Sequence, residues 1–177
     1  MKKIALIGPE SSGKTSLCMA LSQHFSCLWV PEMARTWLEK NGPDYAAKDV
    51  EEMARLQLHE VAKLEEIALE KKHPFLFCDT NLLVVKIWME IRFGNCPDWI
   101  LKEIEKPVYA LQLLMIPDIG WTPDPLREHP NDQAFIYQHY ENELISSVQK
   151  WKTISGFGEA RFQNALAALR DSEKSTA

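Results

Sequence analysis

The sequence predicts an α/β fold: a three-layer α/β/α sandwich around a five-stranded parallel sheet. Three observations predict it. Short apolar runs alternate with helical patterns along the chain, as strands buried on both faces require. A glycine-bearing loop joins the first apolar run to the first helical pattern. One long Pro- and Asp-rich stretch, about 117–133, has no apolar period and reads as a lid loop.

Taken in order, Lys3–Ile7 reads as strand one and Ser16–Phe25 as helix one, with Leu17, Ala20, Leu21 and His24 near one face. Cys27–Val30 is strand two. Lys48–Lys72 is a long helix whose apolar face carries Val50, Met53, Val61, Leu64 and Ala68. Pro74–Cys78 is strand three and Leu82–Phe93 a helix broken at Gly94. Pro97–Glu105 is a short helix and Val108–Ile116 strand four. Phe135–Trp151 is a helix, Lys152–Ser155 strand five, and Glu159–Arg170 the closing helix. One domain spans 1–170, and a polar, frayed tail covers 171–177.

Gly8-Pro9-Glu10-Ser11-Ser12-Gly13-Lys14-Thr15 fits the pattern G-x-x-x-x-G-K-[ST] without a mismatch. Strand before and helix after supply the context of a P-loop NTPase. Glycines let backbone N–H groups turn toward phosphate oxygens, and the helix N-terminus adds partial positive charge. Gly8, Glu10, Ser11, Ser12, Gly13, Lys14, Thr15 and Ser16 are the candidate ATP contacts. Lys14 is placed to reach the β- and γ-phosphates, and the Thr15 hydroxyl to bind Mg²⁺.

With 177 residues, 46% of them apolar, the chain has the length of one domain with a real core. A net charge of −5 argues against nucleic acid as the main partner. The cysteines Cys18, Cys27, Cys78 and Cys96 form no C-x-x-C pair, and the first three fall in apolar runs that predict buried thiols. Met1-Lys2-Lys3 mimics a signal start, but the apolar run breaks at Gly8-Pro9. No stretch reaches a membrane span. These readings predict a cytoplasmic protein with no membrane or nucleic-acid partner; homo-oligomerisation stays open.

Right-handed crossovers place every strand's C-terminal end on one edge, where ligands bind. Chemistry is therefore expected just after each strand. After strand two, Glu32 either caps the next helix and pairs with Arg35, or faces the γ-phosphate and takes a proton from a hydroxyl. After strand three, Asp79 suits a Mg²⁺-side carboxylate, while Asp79, Thr80 and Asn81 also suit an N-cap. In the lid, Arg127 could stabilise a transferring phosphoryl group. Trp121 could stack on a planar substrate or pack the lid. After strand five, the Gly156-Phe157-Gly158 turn and Arg161 could approach an adenine base, or form a plain turn with a surface arginine.

Four segments together resemble a known group. They are the loop Gly-Pro-Glu-Ser-Ser-Gly-Lys-Thr, then Pro31-Glu32-Met33-Ala34-Arg35, then Phe77-Cys78-Asp79-Thr80-Asn81, then the lid Asp118-x-x-Trp121-x-x-Asp124-x-x-Arg127. In this combination the chain resembles the ribosylnicotinamide kinase domain of bacterial NadR proteins, an AAA-like group of phosphate-loop kinases. Val30–Arg35 also resembles the strand-two carboxylate motif of deoxynucleoside kinases.

The resemblance implies transfer of the γ-phosphate of ATP to the 5′-hydroxyl of nicotinamide riboside in NAD salvage. It implies Lys14, Glu32 and Arg127 as catalytic residues and Thr15 and Asp79 as the metal side; by placement alone, Arg161 is a further candidate ATP contact. Glu32, Arg35, Gln57, Asp79, Asn81, Trp121 and Asp124 become the candidate substrate contacts. Two positions depart from the pattern: Gln133 stands where such lids carry a second basic residue, with His129 nearby, and Asn81 where an Asp is usual. The length leaves no room for the adenylyltransferase and DNA-binding domains of full NadR proteins. Two further readings stand beside this one: a kinase for another nucleoside or deoxynucleoside, and an ATP-binding regulatory module without turnover.

Overall fold

The structure, a computed structural model, describes residues 1–129 and 131–174. Residue 130, within the expected lid, and 175–177, in the expected tail, lie outside the described residues. The elements in chain order are β1 (Lys2–Ile7), α1 (Lys14–His24), β2 (Trp29–Val30), α2 (Met33–Asn41), α3 (Ala47–Glu70), β3 (Phe75–Asp79), α4 (Leu82–Phe93), α5 (Asp98–Ile104), β4 (Leu111–Met115), α6 (Gln133–Ser146), β5 (Trp151–Ile154) and α7 (Glu159–Lys174).

All strands pair in parallel in the order β2-β3-β1-β4-β5. The expected five-stranded parallel sheet is present, with β1 at its centre. Strand alternation divides the core. Ile4 and Leu6 pack with Leu17, Leu21 and Ala165 of α1 and α7 on one face. Ala5 and Ile7 pack with Ile87, Ile136 and Tyr140 of α4 and α6 on the other. Each layer covers apolar strand residues that have no route to water.

Several boundaries differ from expectation. The helix predicted to Trp151 ends at Ser146, because the Ser147 hydroxyl donates to the Leu144 carbonyl at 2.9 Å and turns the chain. Trp151 then enters β5 opposite Gln112. The last helix does not end at Arg170 but runs to Lys174, and Glu173 reaches Lys2 at 3.1 Å across the start of β1. The strand expected from Val108 begins at Leu111, where β1 offers its partner Ile4. On α1 the buried residues are Leu17, Cys18, Leu21 and Ser22, while His24 is exposed. Cys18 and Cys78 are buried, Cys27 and Cys96 half-buried, and all four are free thiols. Burial pushes the Cys78 thiol up to about 12, so it is inert.

Candidate active site

The phosphate loop leaves β1 tight against β4. A Cβ at Gly8 would sit 2.8 Å from the Met115 carbonyl oxygen, and its φ of 135° lies where only glycine is unstrained. Gly13, at φ 79°, opens α1 as its N-cap. The first turn of α1 carries no acidic residue, so its N–H groups and positive dipole end face the loop uncompensated. Lys14 folds back over the loop, its Nζ donating to the Gly8 carbonyl at 2.9 Å and to Pro9 at 2.7 Å. Ser12 braces the loop from inside through its hydroxyl and the Pro9 carbonyl, 2.7 Å apart. Ser16 lies at the same mouth of the cleft.

Behind the loop, the exposed Thr15 donates its hydroxyl to Asp79 Oδ2 at 2.5 Å. Asp79 ends β3 and is 0% exposed, and its Oδ1 has no hydrogen-bond partner among the described residues. Burial pushes its carboxyl up, while the Lys14 charge and the Thr15 hydroxyl oppose the rise. An orphaned carboxylate oxygen beside a hydroxyl, facing a phosphate loop, fits a hard cation that takes its other ligands from phosphate and water. Among the described residues, no group of three or more His, Cys, Asp or Glu could hold a metal.

The next residue, Thr80, has φ 76°, a strained value for a β-branched side chain. This kink lets Asn81 cap α4, its Oδ1 accepting from the Leu83 N–H at 3.0 Å. The same amide donates to Gln112 Oε1 at 2.7 Å, and Gln112 in turn donates to Gln149 at 2.6 Å. Asn81 is buried against the sheet and does not line the cleft, which corrects its expected substrate contact. Asp79 likewise does not line the cleft; its carboxylate is engaged with Thr15 behind the loop.

Glu32 occupies the N-cap position of α2 but makes no side-chain capping bond. Arg35 pairs with Asp124 and Glu39 rather than with Glu32. Of the two readings of Glu32, the capping pair is therefore not formed, and the carboxylate faces the cleft with Lys14. Desolvation raises it from 4.5 to about 7, with Lys14 and Arg35 opposing and Asp79 and Glu10 adding to the rise. Gln57 does not line the cleft. It is buried in α3 and bonds the backbone of Pro31 and Met33, a correction to its expected substrate contact.

The lid is docked on the phosphate loop. Ser11 Oγ accepts from the Thr122 N–H at 2.8 Å and from Arg127 Nη1 at 3.3 Å. Glu10 is more than a loop residue: its carboxylate accepts from the N–H groups of Glu128 and His129 at 3.0 and 3.2 Å. Gln133, the uncharged departure, donates to the Glu10 carbonyl at 2.6 Å and so anchors lid to loop. Arg127 and His129 line the cleft, and Arg127 lies 5.9 Å from the Trp121 ring centroid. Trp121 itself packs the lid outside the cleft. Asp124 also stays outside the cleft, clipped to Arg35 and to the Leu126 N–H, which together hold its carboxyl below the usual range. Neither residue takes the substrate position expected of it.

Arg161 is 4% exposed and lies behind the loop. Its guanidinium donates to the carbonyls of Gly156, Ser12 and Ile116 and pairs with Asp118. The expected adenine contact is not what this geometry provides. Arg161 pins the phosphate loop to the ends of β4 and β5.

The cleft, of about 190 Å³, is also walled by residues the motifs did not single out. Trp88 Nε1 donates to the Tyr45 hydroxyl at 2.9 Å, and that hydroxyl donates to Glu128 of the lid at 2.8 Å. Tyr140 closes the wall from α6. Trp88 lies on a helix the periodicity predicts, but nothing local marks Tyr45, Glu128 or Tyr140.

An AAA domain family model matches residues 3–161. The chain belongs to the AAA domain family. The match spans the sheet, the lid and Arg161, so this AAA domain carries the whole cleft. No curated protein matches the sequence. Among solved structures, a NadR protein in complex with NR superposes with TM-score 0.79 at 17% identity, covering 97% of this chain and 49% of the NadR chain. The chain thus spans about half the length of that protein. Deoxyadenosine kinase from M. mycoides matches with TM-score 0.62 at 13% identity over 96% of this chain and 99% of its own. Thymidylate kinase from Ehrlichia chaffeensis matches with TM-score 0.63 at 12% identity over 96% and 97%. At these identities the likeness establishes the fold, that of phosphate-loop kinases with a NadR-type domain among them.

Proposed function

We propose that this AAA domain is an ATP-dependent nucleoside kinase that phosphorylates the 5′-hydroxyl of nicotinamide riboside, yielding nicotinamide mononucleotide for NAD salvage in the cytoplasm. The observation that carries the reading is one cleft holding Lys14 and Arg127 opposite Glu32, with an aromatic wall of Tyr45 and Trp88 beyond. A carboxylate near neutrality in its pKa can orient the acceptor hydroxyl and take its proton. Lys14 and Arg127 neutralise charge on the transferring group, and the docked lid excludes water. Thr15 and Asp79 would hold Mg²⁺, which supplies further charge neutralisation at the phosphates when bound. The electron-rich faces of Tyr45 and Trp88, with Glu128 beside them, suit a cationic pyridinium ring.

A different nucleoside or deoxynucleoside as acceptor is the second reading. It is favoured by the deoxyadenosine kinase match, which runs over 99% of that enzyme against 49% of the NadR chain. The test is ADP release with ATP and Mg²⁺ across a panel of nucleosides, nicotinamide riboside included. Release with nicotinamide riboside alone supports the first reading, and release with another nucleoside supports the second. ATP binding with no acceptor-dependent release would replace both with the regulatory module.

A further inference from the structure

Gln57 is a polar residue in an apolar stripe. Its neighbours on the buried face of α3 are Val50, Met53, Ala54, Val61 and Ala68, and it is itself 4% exposed. A carboxamide buried there is costly unless both its ends are satisfied. Both are. Oε1 accepts from the Met33 N–H at 2.8 Å, and Nε2 donates to the Pro31 carbonyl at 3.3 Å. Those peptide groups flank Glu32 on either side.

Among the described residues, no strand ladder reaches those two peptide groups. β2 is an edge strand of two residues, and its ladder to β3 ends with Val30 opposite Cys78. Helix α2 starts only at Met33, and Glu32 remains extended at φ −69°, ψ 108° with no capping bond of its own. The Met33 N–H is one of the groups a helix start leaves without a partner. Gln57 supplies that partner and holds the preceding carbonyl at the same time.

We infer that Gln57 is the positioning residue for Glu32, clamping the peptide groups on both sides so that the carboxylate is aimed at the acceptor hydroxyl. Gln57 itself does not line the cleft. The inference rests on the proposed role of Glu32. A clamp of this kind matters because a misplacement of about 1 Å in a reacting group can cost about a hundredfold in rate.

The experiment is a double-mutant cycle on the full chain, using Gln57→Met, Glu32→Gln and the pair. The rates are taken with the nucleoside that supports ADP release, and nucleotide affinity with a fluorescent ATP analogue. Gln57→Met is expected to lower kcat by about ten- to a hundredfold and to leave nucleotide affinity within about twofold. In the Glu32→Gln background it is expected to change kcat by less than about twofold, since the two act as a unit.

A wild-type kcat in Gln57→Met, or the same fold-loss with Glu32 already removed, overturns the inference. Wild-type turnover in Glu32→Gln instead removes the role of Glu32, and is distinguishable because it does not involve Gln57. Should Gln57→Met fail to fold, Gln57→Glu takes its place. At a pH where the new carboxylate is ionised, it keeps the acceptor for Met33 and loses the donor to Pro31, and an unchanged kcat there is equally fatal. If no nucleoside turns over, the Glu32 carboxyl is followed by carbon NMR through a pH titration. Its midpoint is expected to move in Gln57→Met, and an unmoved midpoint overturns the clamp.

Discussion

The Thr15 hydroxyl and the Asp79 carboxylate meet at 2.5 Å, tying the first turn of α1 to the end of β3. The second Asp79 oxygen is buried without a hydrogen-bond partner among the described residues. An unpaired buried carboxylate oxygen is destabilising until something positive reaches it.

Asp79→Asn should uncouple metal from nucleotide. The amide still accepts from Thr15 but offers no charge. We expect ATP affinity in Mg²⁺ to fall about tenfold, or about 1.4 kcal/mol, while affinity without metal barely changes. The melting temperature should hold or rise, because a buried charge is removed. Calorimetric titration with and without Mg²⁺, and a thermal melt, check both.

Lys14→Ala and Arg127→Ala should each lower kcat by about 10²- to 10³-fold with the fold intact. Among the described residues, Lys14 Nζ bonds loop carbonyls and Arg127 bonds Ser11 and the lid. Steady-state ADP release beside a circular dichroism melt tests this. Unchanged turnover in either variant removes that residue from the mechanism.

Glu32 sets a pH window. Its carboxyl is ordinary near 4.5 in an unfolded chain and near 7 in the fold. The folded state thus holds the proton more tightly, and this stability is present below 4.5 and lost as pH rises through 7. Glu32→Gln should be more stable than the parent at pH 8, by on the order of 1–3 kcal/mol, and no more stable at pH 4. Urea melts at the two pH values read it directly. Activity should move the other way, with kcat/KM rising through about 7 as the base ionises.

Arg161→Ala should unfold the domain rather than merely weaken ATP binding. Removing it leaves Asp118 with the Gly156 N–H but without its cation, and takes the guanidinium donor from three carbonyls. We expect a loss of about 3 kcal/mol or more, measured by urea denaturation. Full stability with a raised KM for ATP would restore the adenine contact.

Tyr45→Phe should open the lid at the acceptor end. It leaves Trp88 Nε1 without an acceptor and Glu128 without a donor. The KM for the nucleoside should rise about five- to tenfold, with the KM for ATP within about twofold. Equal changes in both constants would show that the contact does not belong to the acceptor end.

How far the sequence could be read depended on whether a residue's role is local. The phosphate loop is a contiguous device, and its glycines, Lys14 and Thr15 are legible because backbone conformation and helix dipole act over a few residues. Asp79 and Glu32 were legible one step further, since parallel strands bring their C-terminal ends to one edge. Asn81 and Arg161 misled for a related reason: one follows the end of β3 and the other lies in the first turn of the helix after β5, yet each is turned inward by partners far away in sequence, Gln112 for one and Asp118 with the loop carbonyls for the other.

By itself, then, the sequence determined the sheet, the loop and the sign of the charges around it, because periodicity, glycine freedom and helix polarity are local physics. Only the tertiary structure decided which polar groups point into the cleft. Gln57 and Trp88 both lie on predicted helices, but one clamps the backbone at Glu32 and the other joins Tyr45 and Glu128 in the acceptor wall. That choice depends on how helices rotate and dock on the sheet to bury their apolar faces while satisfying every buried polar group, and those partners are set by contacts across the fold.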